Sequence, residues 1–411
     1  MTDLSLVERL LSDRTYYIEF NSDPGLTGPA FPADRLLPSA KHLSNHAKHA
    51  VVALAGLGAP PERIEAYYRG YTTLTPYGYD LEPARVSKQG ITEENWERYV
   101  GARTDFADYC DFFDRREKEL GLDELLRRYV PTLLPGWVGA FTHATIHLGW
   151  ALDAGNRWMT IEGLAYLAFS YVSCHPERTT PLRDDGSRDE AAVDSLLRIA
   201  GAWEDDHEAL RRWVDALIAD TTPGATAHIH PELAGLQYRI AKVLGEGHPL
   251  IYRAPAWTED QDPSESWEQL YYAVALMYLA MPGDFIVLHL ITSLHAMEQI
   301  AARLPRDRQK YAVRCFWTGI LCIAFSRAEF PARAGLAELH AEFGKAVDDS
   351  GDPTNDEEWD RLVARSVDQV EEHNPKLVYV LRRVWRRTGR RSIFRVAAGH
   401  FTPTPEVLKS S

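Results

Sequence analysis

The chain has 411 residues, 45% hydrophobic and 11% aromatic, enough for one large core or two smaller ones. A formal net charge of -14 argues against binding a nucleic-acid backbone, which demands a concentrated basic face. Four cysteines without CxxC spacing read as buried thiols, and no apolar run approaches the roughly 20 residues of a membrane helix.

Apolar residues recur at three- and four-residue spacing over 4–11, 47–57, 96–120, 122–134, 137–154, 161–172, 191–218, 267–281, 285–304, 311–325, 359–370 and 377–385. Strand alternation is missing, so the expectation is an all-α protein, 1–411 forming one large multi-helix domain around a buried site. Short strands have room only in the loops. Three stretches read as loops: 21–38, 221–230 and 245–266. The opening Met1-Thr2-Asp3-Leu4 carries no basic-then-apolar leader, so a cytoplasmic protein with no membrane partner is expected. The arginines from Arg382 to Arg391 read as a solvated helix face.

Histidines stand in apolar, helix-like surroundings at four distant places. His46 and His49 are three apart, and His143 and His147 four apart, so each pair shares a helix face. Ala144 stands where a zinc protease would carry its glutamate, so the pattern is not HExxH. An HxxxH pair alone is more often met by buried histidines bonded to backbone carbonyls than by metal ligands. His289 and His295 are six apart and fall on different faces of one helix, which argues for an outer role for one of them. Near the C-terminus Asn374 reads as an N-cap and Pro375 as the first helical residue, with His373 and Lys376 flanking the start. From spacing alone Lys376 is an exposed first-turn lysine; buried, it would have a depressed pKa or carry a carbamate.

These residues in this order resemble the questin oxidase-like family, associated with the tailoring of aromatic polyketides in fungi and bacteria. The resemblance runs from Asn45-His46 through His49-Ala50-Val51-Val52 and Leu57-Gly58-Ala59-Pro60 to Arg63-Ile64-Glu65-Ala66-Tyr67-Tyr68. It resumes at Leu134-Pro135-Gly136, His143, Glu162-Gly163-Leu164-Ala165-Tyr166, Leu288-His289 to His295-Ala296-Met297, and His373 with Lys376-Leu377-Val378, covering roughly 37–398. It implies oxygenative chemistry on anthraquinone-type substrates at a non-haem Fe(II). His46, His143, His289, His373 and a carbamylated Lys376 would be the ligands, with His295 and His147 as catalytic residues. His147 stands where the family usually has a basic residue, and Asn374-Pro375 interrupts a usually apolar stretch, which puts the geometry of Lys376 in question.

No dinucleotide fingerprint supports a bound flavin: Gly56-Leu57-Gly58 lacks the third glycine and is followed by two prolines. A requirement for external NADPH is left open. Oxygen insertion then needs a redox metal or a substrate that itself reduces oxygen. Three functions compete: an iron-dependent oxygenase, a cofactor-independent oxygenase using histidine bases, and a non-catalytic carrier of aromatic ligands. The expected partners are a flat aromatic substrate and dioxygen. The expected cavity walls, chosen for nearness to the His143 segment in sequence, are Trp137, Phe141, Trp150, Tyr166 and Tyr171.

Overall fold

The three- and four-residue spacing of apolar side chains becomes a helical protein in the computed structural model, which describes residues 4–21, 42–88, 90–103, 106–182, 189–220, 231–345 and 353–403. The first helices are α1 (Leu4–Leu11), α2 (Ala47–Gly56), α3 (Pro61–Thr73), α4 (Phe106–Leu120), α5 (Leu122–Leu133), α6 (His143–Ala154) and α7 (Arg157–Phe169). Then come α8 (Ala192–Asp205), α9 (His207–Ala219), α10 (Pro231–Glu246), α11 (Pro249–Tyr252), α12 (Trp257–Asp260) and α13 (Pro263–Ala280). The last are α14 (Phe285–Ala301), α15 (Arg306–Ser326), α16 (Arg333–Phe343), α17 (Pro353–Val367), α18 (His373–Arg387) and α19 (Ser392–Ala398). Strands are short: β1 (Glu19–Asn21) pairs antiparallel with β2 (His42–Ser44), and β3 (Thr180–Pro181) pairs parallel with β4 (Arg253–Ala254).

Several expected elements divide. The helix expected over 96–120 breaks at Gly101 and Arg103, whose φ angles are +79° and +53°, leaving a 3-10 turn at Trp96–Tyr99 ahead of α4. The segment 191–218 breaks into α8 and α9, and the stretch 137–154 becomes helical only at His143. Periodicity alone misses such breaks because both halves keep an apolar face. It also passed over α3, α10, α16 and α19. The loop expected over 245–266 contains α11, β4, α12 and the start of α13; those at 22–38 and 221–230 lie outside the described residues.

The site sits where α6 is sandwiched between α7 and α14, with α18 packed on α14 and α2. Two glycines allow that sandwich. A Cβ at Gly149 would meet Ala296 Cα of α14 at 2.3 Å, and one at Gly163 would meet Leu148 Cα of α6 at 2.5 Å. Backbones this close bring side chains from three helices into one small volume. No helix among the described residues is long and apolar enough to cross a membrane. The four cysteines are buried and form no disulfide. The arginines of α18 and its end are largely engaged rather than simply solvated: Arg383 pairs with Asp153, Arg387 with Glu298 and Arg382 with Asp360.

Candidate metal centre

Each cluster histidine stands at or near the start of a helix. His46 immediately precedes α2, where Asn45 Oδ1 accepts the Ala47 N–H at 3.1 Å. His143 is the first residue of α6. The carboxylate of Asp284 caps α14 by accepting the N–H groups of Ile286 and Val287 at 2.9 Å each, and His289 follows one turn later. His373 opens α18, capped differently from the expectation. Glu371 Oε2 accepts the N–H groups of His373 and Asn374 at 2.8 and 3.1 Å. Asn374 lies inside the helix, its amide bonded both ways to the Thr402 backbone. Pro375 falls in the first turn, where a missing N–H costs nothing. The helix therefore runs on undisturbed, and Lys376 is fully buried rather than exposed.

The four imidazoles form a closed ring. Centroid separations are 4.7 Å for His46–His143, 4.9 Å for His143–His289, 4.8 Å for His289–His373 and 4.8 Å for His373–His46, with a diagonal of 6.4 Å from His46 to His289. Donor atoms of His46, His143 and His373 lie within 4.8 Å of one another. Tautomers follow from the outer bonds. His143 Nδ1 donates to the Ala140 carbonyl at 2.6 Å, and His289 Nδ1 donates to the Phe285 carbonyl at 2.7 Å. Each Nε2 is therefore a bare lone pair, yet the two Nε2 atoms face each other at 3.2 Å. Two lone pairs so placed repel unless a cation lies between them. His373 Nδ1 is taken by Glu371, and its buried Nε2 has no partner among the described residues.

These features fit a divalent metal. Bonds of about 2.1 Å from imidazole nitrogen at roughly right angles give an N–N separation of about 3.0 Å. Four neutral imidazoles suit iron, zinc, copper or nickel, and carboxylates behind them fix ring orientation. His46 Nδ1 lies 2.7 Å from Lys376 Nζ and 3.5 Å from Glu372 Oε1. A protonated Lys376 donates to Nδ1 and puts the ring proton on Nε2, so His46 offers Nε2 to an ion only when Lys376 is the neutral amine or a carbamate and accepts from Nδ1–H. Glu372 Oε1 also accepts from Tyr77 at 2.7 Å. Burial pushes Glu371 and Glu372 above the usual carboxylate range, with the neighbouring Glu371 charge adding to the rise at Glu372. Burial brings Lys376 down to about 8, against the pull of both glutamates.

Beside the ring runs a second polar chain. His49, its centroid 5.5 Å from that of His46, places Nε2 3.0 Å from His147 Nδ1, and His147 Nε2 is 3.2 Å from Glu162 Oε2. Lys48 Nζ donates to the same oxygen at 2.5 Å, and Trp158 Nε1 donates to Oε1 at 2.8 Å. Burial would raise the Glu162 pKa, but Lys48 and His147 outweigh it and keep the carboxylate ionised. An ionised Glu162 holds the His147 proton on Nε2. His147 Nδ1 then accepts from His49 Nε2–H, and His49 Nδ1 is left as a lone pair, buried and without a partner among the described residues.

Other expected site residues lie apart from the ring. His295 bonds to Asp153 at 3.1 Å beside Trp150 and Tyr379; its helical phase turns it away from His289. Trp137 stacks on Phe316 and donates to the Cys315 carbonyl, Trp150 donates to the Thr292 carbonyl, and Tyr166 bonds to Ser44 and Glu19. Tyr171 covers Gly136. Those four pack helices together; nearness in sequence to His143 did not bring them to its ring. Phe141 does reach the site, 4.9 Å from His289. The partly exposed Phe285, 4.4 Å from His289 and 4.6 Å from His373, was not anticipated, nor were Glu371, Glu372, Tyr77 and Glu162. A carboxylate two residues before a helix-opening histidine is the signal that could have exposed Glu371.

The cluster gives the metal-free protein a definite pH response. Burial holds His46, His49, His289 and His373 well below 6.5, His143 down at about 3, and His147 lowered too. Just below pH 6.5 the unfolded chain takes up protons on these six that the folded chain refuses. Glu371 and Glu372, raised from 4.5, act in the opposite sense but are fewer. Stability is therefore greatest above 6.5 and is lost on acidification, by about 1.4 kcal/mol per pH unit for each net proton. Calorimetry of the metal-free protein is expected to show Tm falling steeply between pH 6.5 and 5; a flat profile would contradict the buried neutral imidazoles.

An all-helical protein with four converging imidazoles at its core is the class that fold and site define. Residues 43–381 match the family described as questin oxidase-like, and the chain belongs to that family. It is 24% identical over 230 residues to the Baeyer-Villiger oxidase AgnL3 of Paecilomyces divaricatus, across 49% of this chain. The match spans about half the length of that relative, 48%.

Proposed function

We propose that the protein is an oxygenase acting on a polycyclic aromatic polyketide of anthraquinone type, by ring cleavage or Baeyer–Villiger-like oxygen insertion, with Fe(II) held by His46, His143, His289 and His373. The observation that carries this reading is the pair of bare Nε2 atoms 3.2 Å apart in a buried ring of imidazoles. Fe(II) supplies the one-electron and dioxygen chemistry that no side chain here can. The family and the oxidase relative support the substrate class.

The chain's own residues perform the rest. Phe141 and Phe285 offer apolar ring faces beside His289 for a flat substrate. His49 Nδ1 accepts the proton of a substrate phenol while its Nε2–H passes to His147, and His147 Nε2–H shifts toward Glu162; this gives His147 its catalytic part. Lys376, brought down to about 8, gives up its proton more readily than a free lysine to form the neutral amine that carbon dioxide requires, and as a carbamate it would offset charge that neutral imidazoles leave.

The polarised His49–His147–Glu162 chain also favours a second reading, in which a deprotonated hydroquinone reacts with oxygen without metal. One experiment separates the two. Chelated protein, reloaded anaerobically with Fe(II), is given the hydroquinone of 1,8-dihydroxyanthraquinone, which itself supplies the two electrons that insertion of a single oxygen atom requires, and oxygen uptake is followed. The proposal expects uptake only after reloading and without added flavin. Full uptake by the chelated protein would favour the metal-free reading.

A further inference from the structure

The turn leading into α6 has a backbone its sequence does not favour. Ala140, Phe141 and Thr142 are all left-handed, at φ +49°, +50° and +68°, with no glycine among them. L-residues avoid this region because Cβ crowds the carbonyl, and consecutive examples persist only where surroundings impose them. Besides the backbone bonds of Thr142 N–H to Val138 O and of His143 N–H to Ala140 O, both at 3.2 Å, two short bonds hold the peptide unit joining Ala140 to Phe141. Its carbonyl accepts from His143 Nδ1 at 2.6 Å, and its N–H donates to Gln237 Oε1 at 2.6 Å. Gln237 belongs to α10, 96 positions further along the chain, and is 8% exposed. Bonds on opposite edges of one peptide fix its rotation.

We propose that Gln237 is a positioning residue for His143, acting through that peptide; the inference rests on the metal reading above. The carbonyl keeps the His143 proton on Nδ1 and aims Nε2 at His289 Nε2. His289 needs no such device, because its acceptor, the Phe285 carbonyl, belongs to the regular helix α14. The acceptor of His143 lies on a strained turn that would relax if released. The same peptide carries Phe141, so Gln237 also sets the ring standing 4.9 Å from His289. A hydrogen-bonded chain of amide, peptide and imidazole is polarised along its length, which strengthens the Nε2 lone pair.

The test uses Co(II), whose visible spectrum reports ligand geometry, titrated anaerobically into the parent, Gln237→Met and Gln237→Glu, with Tm of each metal-free form. Glutamate keeps an acceptor for the Phe141 N–H; methionine has none. The expected result is affinity within about threefold of the parent for Q237E and about 10–100-fold weaker for Q237M, with an altered spectrum. If Q237M melts lower but binds Co(II) with the parent's affinity and spectrum, Gln237 is only a packing residue and the inference is overturned. Should Q237M not fold, the parent decides: Co(II) loading is expected to slow hydrogen exchange at the Phe141 amide by about tenfold, since coupling between the two ends is reciprocal. Unchanged exchange overturns the inference. A parent that takes up no Co(II) removes the metal reading, and this inference with it.

Discussion

Replacing His289 by alanine is expected to abolish stoichiometric metal binding while leaving the metal-free fold largely intact. His289 is fully buried, and its Nδ1 donates to a carbonyl already inside α14, so removing the ring leaves no stranded charge. The cost to the apo form is that of a small cavity. The metal-bound form loses a ligand, which is worth more than the about 10–100-fold in affinity attached to outer partners. Saturating metal at about a thousandfold over Kd stabilises a folded protein by about 4 kcal/mol, and this increment should vanish in the variant. Thermal melts with and without metal measure it. His295→Ala is the matched control: the ring it removes bonds to Asp153 and touches none of the four, so the increment should remain. The opposite pattern, metal lost with His295 and kept without His289, would contradict the assignment.

Glu162→Gln is expected to be the most destabilising single-atom change near the site. Glu162 accepts from Lys48, His147 and Trp158, all buried. An amide cannot accept at both ends, so at least one donor meets an NH2 group, and Lys48 loses its countercharge. Removing one partner of a buried ion pair costs about 3–5 kcal/mol. Urea unfolding should show that loss, with part recovered in the Lys48→Met, Glu162→Gln double variant. The residual loss reports Trp158 and His147. Turnover should fall by about 10²-fold or more, because the amide no longer fixes the proton on His147 Nε2. A loss under about 1 kcal/mol would mean that Lys48 reaches water instead.

Helical class was legible in the apolar spacing, and histidines in apolar helical frames at distant places announced a shared site because buried imidazoles need partners. Which histidine of each pair enters the ring came from the family resemblance. His295 shows the value of phase, since six positions place it on a different face from His289, where Asp153 takes it. The aromatic walls were not legible. The left-handed turn at 140–142 cuts Trp137 off from the face of His143; Trp150 shares that face but stands two turns further along α6, and Tyr166 and Tyr171 lie on and beyond α7. Phe285 is 142 positions from His143, so only the fold could bring it in. Glu371 and Glu372 were hidden because a polar stretch before a helix ordinarily faces solvent, whereas here these two are buried directly after the exposed Val370.

X-ray absorption at the iron edge, on protein reloaded anaerobically with one equivalent of Fe(II), tests the central claim most directly. The account predicts a first shell dominated by about four imidazole nitrogens near 2.1 Å, with the outer-ring scattering that imidazoles give. A shell made of oxygen with one imidazole or none, or no retained iron, would contradict it.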